Sequence, residues 1–148
     1  MANPEDKSHI ILVNGIVEKD GEILISQRSF EEAHEPGKWT IPGGKVERTE
    51  GNVWNILEES VAREILEETG VIVNKDNIEL IANNTFIHSS GKHVVAVIFL
   101  CHWKEGEAKA LEDTINVKWI TKQDVDNLQY PPNVRTYIMK GFERINRV

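Results

Sequence analysis

The sequence holds a single cysteine, Cys101, in 148 residues. One thiol excludes an intrachain disulfide, so packing must hold the fold, and a reducing cytoplasm suits such a chain. Cys101 closes the apolar run that begins at Val94 and reads as a buried structural thiol. Long hydrophobic runs are missing as well. No stretch nears the roughly 20 apolar residues that a membrane-crossing helix takes. The N-terminal residues Met1 to Lys7 are polar and carry no signal-peptide core. Basic residues are in deficit, 17 against 24 acidic ones, for a net charge of −7. That balance gives no general attraction to a nucleic-acid backbone, so neither nucleic acid nor membrane is expected as a partner. Repeats, low-complexity tracts and long linkers are absent. The expectation is one cytoplasmic domain over residues 1–148.

What is present alternates between strand and helix patterns. His9 to Val17 is rich in β-branched residues, Lys19-Asp20-Gly21 is a turn signal, and Glu22 to Arg28 resumes the apolar run, so the pair predicts a hairpin. Ser29 to Lys38 predicts a loop, and Trp39-Thr40-Ile41 a short extended piece ending at Pro42-Gly43-Gly44. From Val53 to Thr69 apolar residues recur at helical spacing, with Gly70 as a stop. Ile78 to Ile87 and His93 to Trp103 predict two more strands joined through 88–92, and Val117 to Ile120 another. Thr121 suits the N-cap of a helix over 122–128, and Pro131-Pro132 the start of a last helix to about Arg144. The mixture predicts an α/β layered domain.

The chemistry concentrates at the end of the 53–69 helix. Glu64, Glu67 and Glu68 stand at i, i+3 and i+4 and share one side of it. Each like-charge pair at such spacing costs roughly a few tenths of a kcal/mol on a bare helix, and the helix C-terminus disfavours anions further. A bound divalent cation would reverse that penalty, and oxygen-only ligands suit Mg²⁺ or Mn²⁺. Gly43-Gly44 ahead of the helix lets backbone approach a ligand closely.

These residues resemble the Nudix box: Gly, five residues, Glu, seven residues, Arg-Glu, an aliphatic, any residue, Glu-Glu, any residue, Gly, an aliphatic. Gly44 and Glu50 fit the first half. Arg63-Glu64-Ile65-Leu66-Glu67-Glu68-Thr69-Gly70-Val71 fits the second half throughout. Twelve residues separate Glu50 from Arg63, where the box has seven, so five extra residues lie near Gly51 to Asn55. They are expected to lengthen the loop or the first helical turns, and to reshape one wall of the substrate site around Trp54.

The resemblance implies an α/β/α sandwich with a mixed sheet. It implies a Mg²⁺-dependent hydrolase of the MutT type that cuts a diphosphate linkage in a nucleoside triphosphate or other nucleoside diphosphate derivative. Glu64, Glu67, Glu68 and the Gly43 carbonyl would be metal ligands, and Glu67, Glu64 and Arg63 the catalytic group, with Arg63 orienting Glu67. Glu112 and Asp113 are alternative bases. Gly44, Lys45, Arg28 and Asn133 are candidates for substrate contact. Many members are dimers, so a homodimer is a further expectation. Two rival readings remain open: a non-catalytic nucleotide-sensing module, and a hydrolase for ADP-ribose or another nucleotide sugar. His34, His88 and His93 read as exposed loop or strand-end residues, and Trp39, Trp103 and Trp119 as packing residues.

Overall fold

β-branched residues at period two build the sheet, and the same alternation divides them between two helical layers. A computed structural model describes residues 6–147; the N-terminal segment from Met1 to Glu5 lies outside the described residues. The strands are β1 (Ile10–Lys19), β2 (Glu22–Arg28), β3 (Trp39–Thr40), β4 (Gly43–Lys45), β5 (Ile72–Ile87), β6 (His93–Glu105) and β7 (Thr114–Ile120). The helices are α1 (Ile56–Thr69) and α2 (Val134–Ile145), with a 3-10 helix at Lys122–Asn127. Together the strands form one seven-stranded sheet. β1 and β6 run parallel, and the other pairings are antiparallel.

Alternate residues of β1, β2 and β6 face opposite helices. Val13, Val17, Leu24, Phe99 and Cys101 pack with Val61, Ala62 and Ile65 of α1. Ile16, Ile23, Ile25, Ile98 and Leu100 pack with Tyr137, Ile138 and Phe142 of α2. This is the expected sandwich. Gly15 brings α1 close to the sheet, because a Cβ there would lie 2.7 Å from the Ile65 δ-methyl. Ile65 is fully buried, a placement that stabilises by roughly 1.5–3 kcal/mol.

The sheet splits where the site forms. β1 and β2 pair only beside their turn, at Glu18–Ile23 and Lys19–Glu22. Further along, β1 pairs with β4 and β2 with β3, so residues 39–45 fill the gap between them. The Gly15 N–H donates to the Pro42 carbonyl at 2.9 Å and closes that seam.

Several boundaries differ from the sequence reading. Gly43-Gly44, read from sequence as the end of the 39–41 extended piece, belongs to a strand of its own paired with β1. α1 starts at Ile56 instead of Val53, because Gly51 (φ 73°) and Asn55 (φ 58°) hold left-handed backbone that a helix cannot continue. The extra residues therefore lengthen the loop. Trp54 is 79% exposed there, so it forms no wall of a buried site. β5 starts six residues earlier than expected, its first part hidden by the polar bulge at 74–77, where the Asp76 N–H donates to Asn74 Oδ1. β7 likewise starts earlier, at Thr114, and the 122–128 helix is a 3-10 turn. Leu66, one of the apolar residues in the helical pattern of 53–69, is 46% exposed, since it lies about 100° further round α1 than Ile65. Gly70 ends α1 as expected, at φ 74° with its N–H on the Leu66 carbonyl.

Among the described residues no helix is long and apolar enough to cross a membrane. Cys101 is fully buried, and burial pushes its thiol up to about 12. Native protein at pH 8 is therefore expected to leave a thiol reagent unreacted over the time in which denatured protein reacts fully. Equal rates in the two states would show that the β6 core is open.

Candidate active site

The helix pattern that buries Ile65 and Val61 turns the acidic side of α1 toward β4. Glu64 and Glu68 lie one turn apart and both reach this strand. The Glu64 side chain is 13% exposed. A Cβ on Gly44 would sit 2.7 Å from the Glu64 carboxyl carbon and 2.9 Å from both its oxygens, so only glycine leaves room for that carboxylate. Glu68 accepts the Gly43 N–H at 3.1 Å. Gly43 itself is pinned by sheet pairing, since a Cβ there would lie 2.2 Å from the Val13 carbonyl oxygen.

The acids are held at an electrostatic cost. Burial raises the pKa of Glu64; Arg63 offsets part of this, while Glu67, Glu112 and Glu47 add to it. Burial raises Glu68 further, to about 8. The Gly43 amide and Arg28 oppose that shift, and Glu64 and Glu112 reinforce it. Glu67 is placed differently. Arg63 donates from one terminal nitrogen to both its oxygens, at 3.2 and 3.3 Å, and lies 3.5 Å from Glu64. Among the described residues no three acidic, histidine or cysteine side chains converge as a ready metal cage. Glu67 lies on Arg63, and Glu64 and Glu68 lie against glycine.

Beside this wall opens a cleft of about 760 Å³. Arg28, Gly43, Gly44, Lys45, Glu68, Glu112, Asp113 and Asn133 all line it. The structure thus brings together candidates from β2, β4, α1, the loop before β7 and the start of α2. Arg63, Glu64 and Glu67 are not among its lining residues. Glu112 has left-handed backbone (φ 53°) and is near enough to raise both Glu64 and Glu68. Asn133 is also left-handed (φ 78°) and occupies the N-cap of α2 rather than its first turn. The three Trp residues read as packing residues do pack: Trp39 against the α2-side core, Trp103 and Trp119 against the α1-side core.

Some lining residues carried no sequence signal. Tyr137 donates a hydrogen bond from its hydroxyl to Asn84 across the α2–β5 seam. Its helical spacing from Val134 and Ile138 marks the buried face of α2 but not the cleft. His34 and His88, read as plain loop residues, are at the cleft rim.

A NUDIX domain model matches residues 9–140. The chain belongs to the Nudix hydrolase family. A MutT-like protein of Streptomyces ambofaciens is 30% identical over 130 residues, 84% of this chain and 75% of that protein. An ADP-ribose pyrophosphatase of Methanocaldococcus jannaschii is 33% identical over 118 residues, 80% of this chain and 63% of the relative's own length. The crystal structure of a MutT Nudix hydrolase from Burkholderia pseudomallei matches with a TM-score of 0.72 at 28% identity, covering 90% of this chain and 98% of that one.

Glu68 makes stability depend on pH. Its folded pKa of about 8 lies above the ordinary carboxylate value of 4.5, so the folded state binds the proton more tightly than the unfolded state does. The contribution of protonated Glu68 is present at low pH and is lost as pH rises through about 8. Without divalent cations, the melting temperature is expected to fall between pH 5 and about 8 more steeply in the native protein than in Glu68→Gln. Parallel melting curves for the two proteins would contradict the buried placement of Glu68.

Proposed function

We propose that the protein is a Mg²⁺-dependent pyrophosphohydrolase, able to use Mn²⁺, that cuts a diphosphate linkage in a nucleoside triphosphate or other nucleoside diphosphate derivative. The observation that carries this reading is the approach of Glu64 and Glu68 to the Gly43–Gly44 strand at the wall of the cleft. The cleft volume falls within the roughly 300–1,000 Å³ of small-molecule sites.

The residues fit a hard divalent cation. Every donor is oxygen. Burial raises the pKa of Glu68 against the opposing Gly43 amide and Arg28, so added positive charge would favour its ionised form, and Gly44 leaves beside Glu64 the space that a Cβ would fill. Glu64, Glu68 and the Gly43 carbonyl would hold the ion, with Glu67 one turn from Glu64 as a further ligand. Bound there, the ion would neutralise phosphate charge and make a water more acidic.

The chain supplies the rest. Arg63 fixes the direction of Glu67, so that Glu67 takes a proton from the attacking water as a phosphoanhydride P–O bond breaks. Arg28 and Lys45 are the cations of the cleft wall for the phosphate oxygens, and Gly44 lets those oxygens come near the backbone. Asn133 suits contact with the nucleoside part. The resemblance to a MutT-like protein supports a nucleoside triphosphate, cut to monophosphate and pyrophosphate. The resemblance to an ADP-ribose pyrophosphatase supports ADP-ribose as the second substrate to try.

Glu112 is the second reading for the base. It lines the cleft and acts electrostatically on both Glu64 and Glu68, whereas Glu67 lies outside the lining.

A panel of nucleoside triphosphates, nucleotide sugars and ADP-ribose, incubated with Mg²⁺ and read by product mass, tests the activity. Release of pyrophosphate and monophosphate from a triphosphate is the expected result; tight binding with no turnover would instead favour a nucleotide sensor. In the same assay Glu67→Gln is expected to lose about a hundredfold or more in kcat with little change in melting temperature, since removing one anion relieves repulsion. Should Glu112→Gln show the large loss and Glu67→Gln a small one, the base is Glu112.

A further inference from the structure

The loop between β2 and β3, residues 29–38, holds no regular structure, and Glu35 and Gly37 within it are left-handed (φ 49° and 72°). Its ends are fixed by backbone bonds: the Arg28 N–H donates to the Lys38 carbonyl, and the Ser29 N–H to the Asp113 carbonyl. Its tip has weaker ties. Arg28 Nε donates to the His34 carbonyl at 3.0 Å, and the Arg28 guanidinium faces Glu32 at 3.5 Å.

One further tie leaves the loop. Ser89 Oγ lies 3.1 Å from His34 Nδ1, and the His34 ring meets the His88 ring edge to face, with centroids 4.9 Å apart. His88 and Ser89 belong to the turn between β5 and β6. That turn is braced internally: the His88 N–H donates to the Lys92 carbonyl at 2.8 Å, and the Ser90 N–H to His88 Nδ1 at 3.1 Å. Two separately built segments, 55 residues apart at the His34–Ser89 contact, therefore touch through these side chains. All three residues line the cleft, and His34 and Ser89 are exposed, so the link crosses the rim and not the core. An exposed hydrogen bond and one ring contact are cheap to break.

We propose that His34, His88 and Ser89 form a strap across the mouth of the cleft, which opens to admit the nucleotide and to release product. The proposal rests on the cleft being the substrate site. Arg28 links the strap to that site, since the same side chain bonds the His34 carbonyl and acts on Glu68. A phosphate drawn to Arg28 competes with its bonds to Glu32 and His34, so substrate arrival and strap opening are coupled.

Two measurements test this. In His34→Ala, amide hydrogen exchange at residues 88–92 is expected to rise about fivefold, the effect of losing one side-chain hydrogen bond, although the substitution lies on the other segment. In His34→Cys/Ser89→Cys, joined by a short bis-maleimide, the association rate of a fluorescent non-hydrolysable nucleoside triphosphate is expected to fall at least about tenfold. Each single-cysteine variant capped with a mono-maleimide controls for bulk, and buried Cys101 stays unlabelled. Unchanged exchange at 88–92 overturns the strap. Association as fast in the cross-linked protein as in the unlinked one overturns the gating role. If the native protein neither binds nor cuts any nucleotide, the catalytic reading fails and the gate with it, while exchange at 88–92 still decides whether the strap exists.

Discussion

The close approach of the Glu64 and Glu68 carboxylates to the Gly43–Gly44 strand is the constraint on which the site depends. Two anions are brought out of water on one helical side, against a like-charged neighbour and at the helix end that disfavours them. Only missing side chains on the strand make the approach sterically open. The consequence appears directly in the raised proton affinity of both glutamates. A carboxylate whose ionised form burial disfavours is also one that a cation stabilises.

The rest of the fold serves that approach. Gly15 lets α1 settle onto β1, with Ile65 as the anchor, and this sets the height of the helix above β4. The early parting of β1 and β2 makes room for residues 39–45, so the glycine strand is paired backbone rather than a loose loop. The same parting opens the cleft between the two halves of the sheet. Fold energetics and site geometry meet in a few residues: Val61, Ile65 and Thr69 are buried on the side of α1 that packs, and the glutamates occupy the adjoining side because of it.

Much of this was legible in the residues. Helical spacing gave α1 and its acidic side, and the stop at Gly70 follows from its left-handed backbone. The long strands β1 and β6 were visible as β-branched runs. Less was visible wherever the outcome depends on contacts far apart in sequence. Gly43-Gly44 looks like a turn locally, and only pairing with Leu12 to Asn14 makes it a strand. The start of β5 is hidden by polar residues that bulge out of register. Leu66 is apolar by type yet nearly half exposed. The local patterns of His34 and His88 are those of ordinary surface residues, because their meeting depends on where two distant loops end. The contact of Arg63 with Glu67 follows from their i, i+4 spacing, whereas the approach of Glu64 and Glu68 to the Gly43–Gly44 strand was invisible, since it depends on where α1 lies against β4.

The contrast between the two glycines gives the most direct test. A Cβ on Gly43 collides with backbone, whereas the three atoms nearest a Cβ on Gly44 all belong to the end of the Glu64 side chain. Gly44→Ala should therefore keep the fold and displace one carboxylate. Mn²⁺ binding followed by electron paramagnetic resonance is expected to show a bound ion in the native protein and loss of most of that affinity in Gly44→Ala, at an unchanged melting temperature without metal. Equal Mn²⁺ affinity in the two proteins, or none in the native one, would contradict the account.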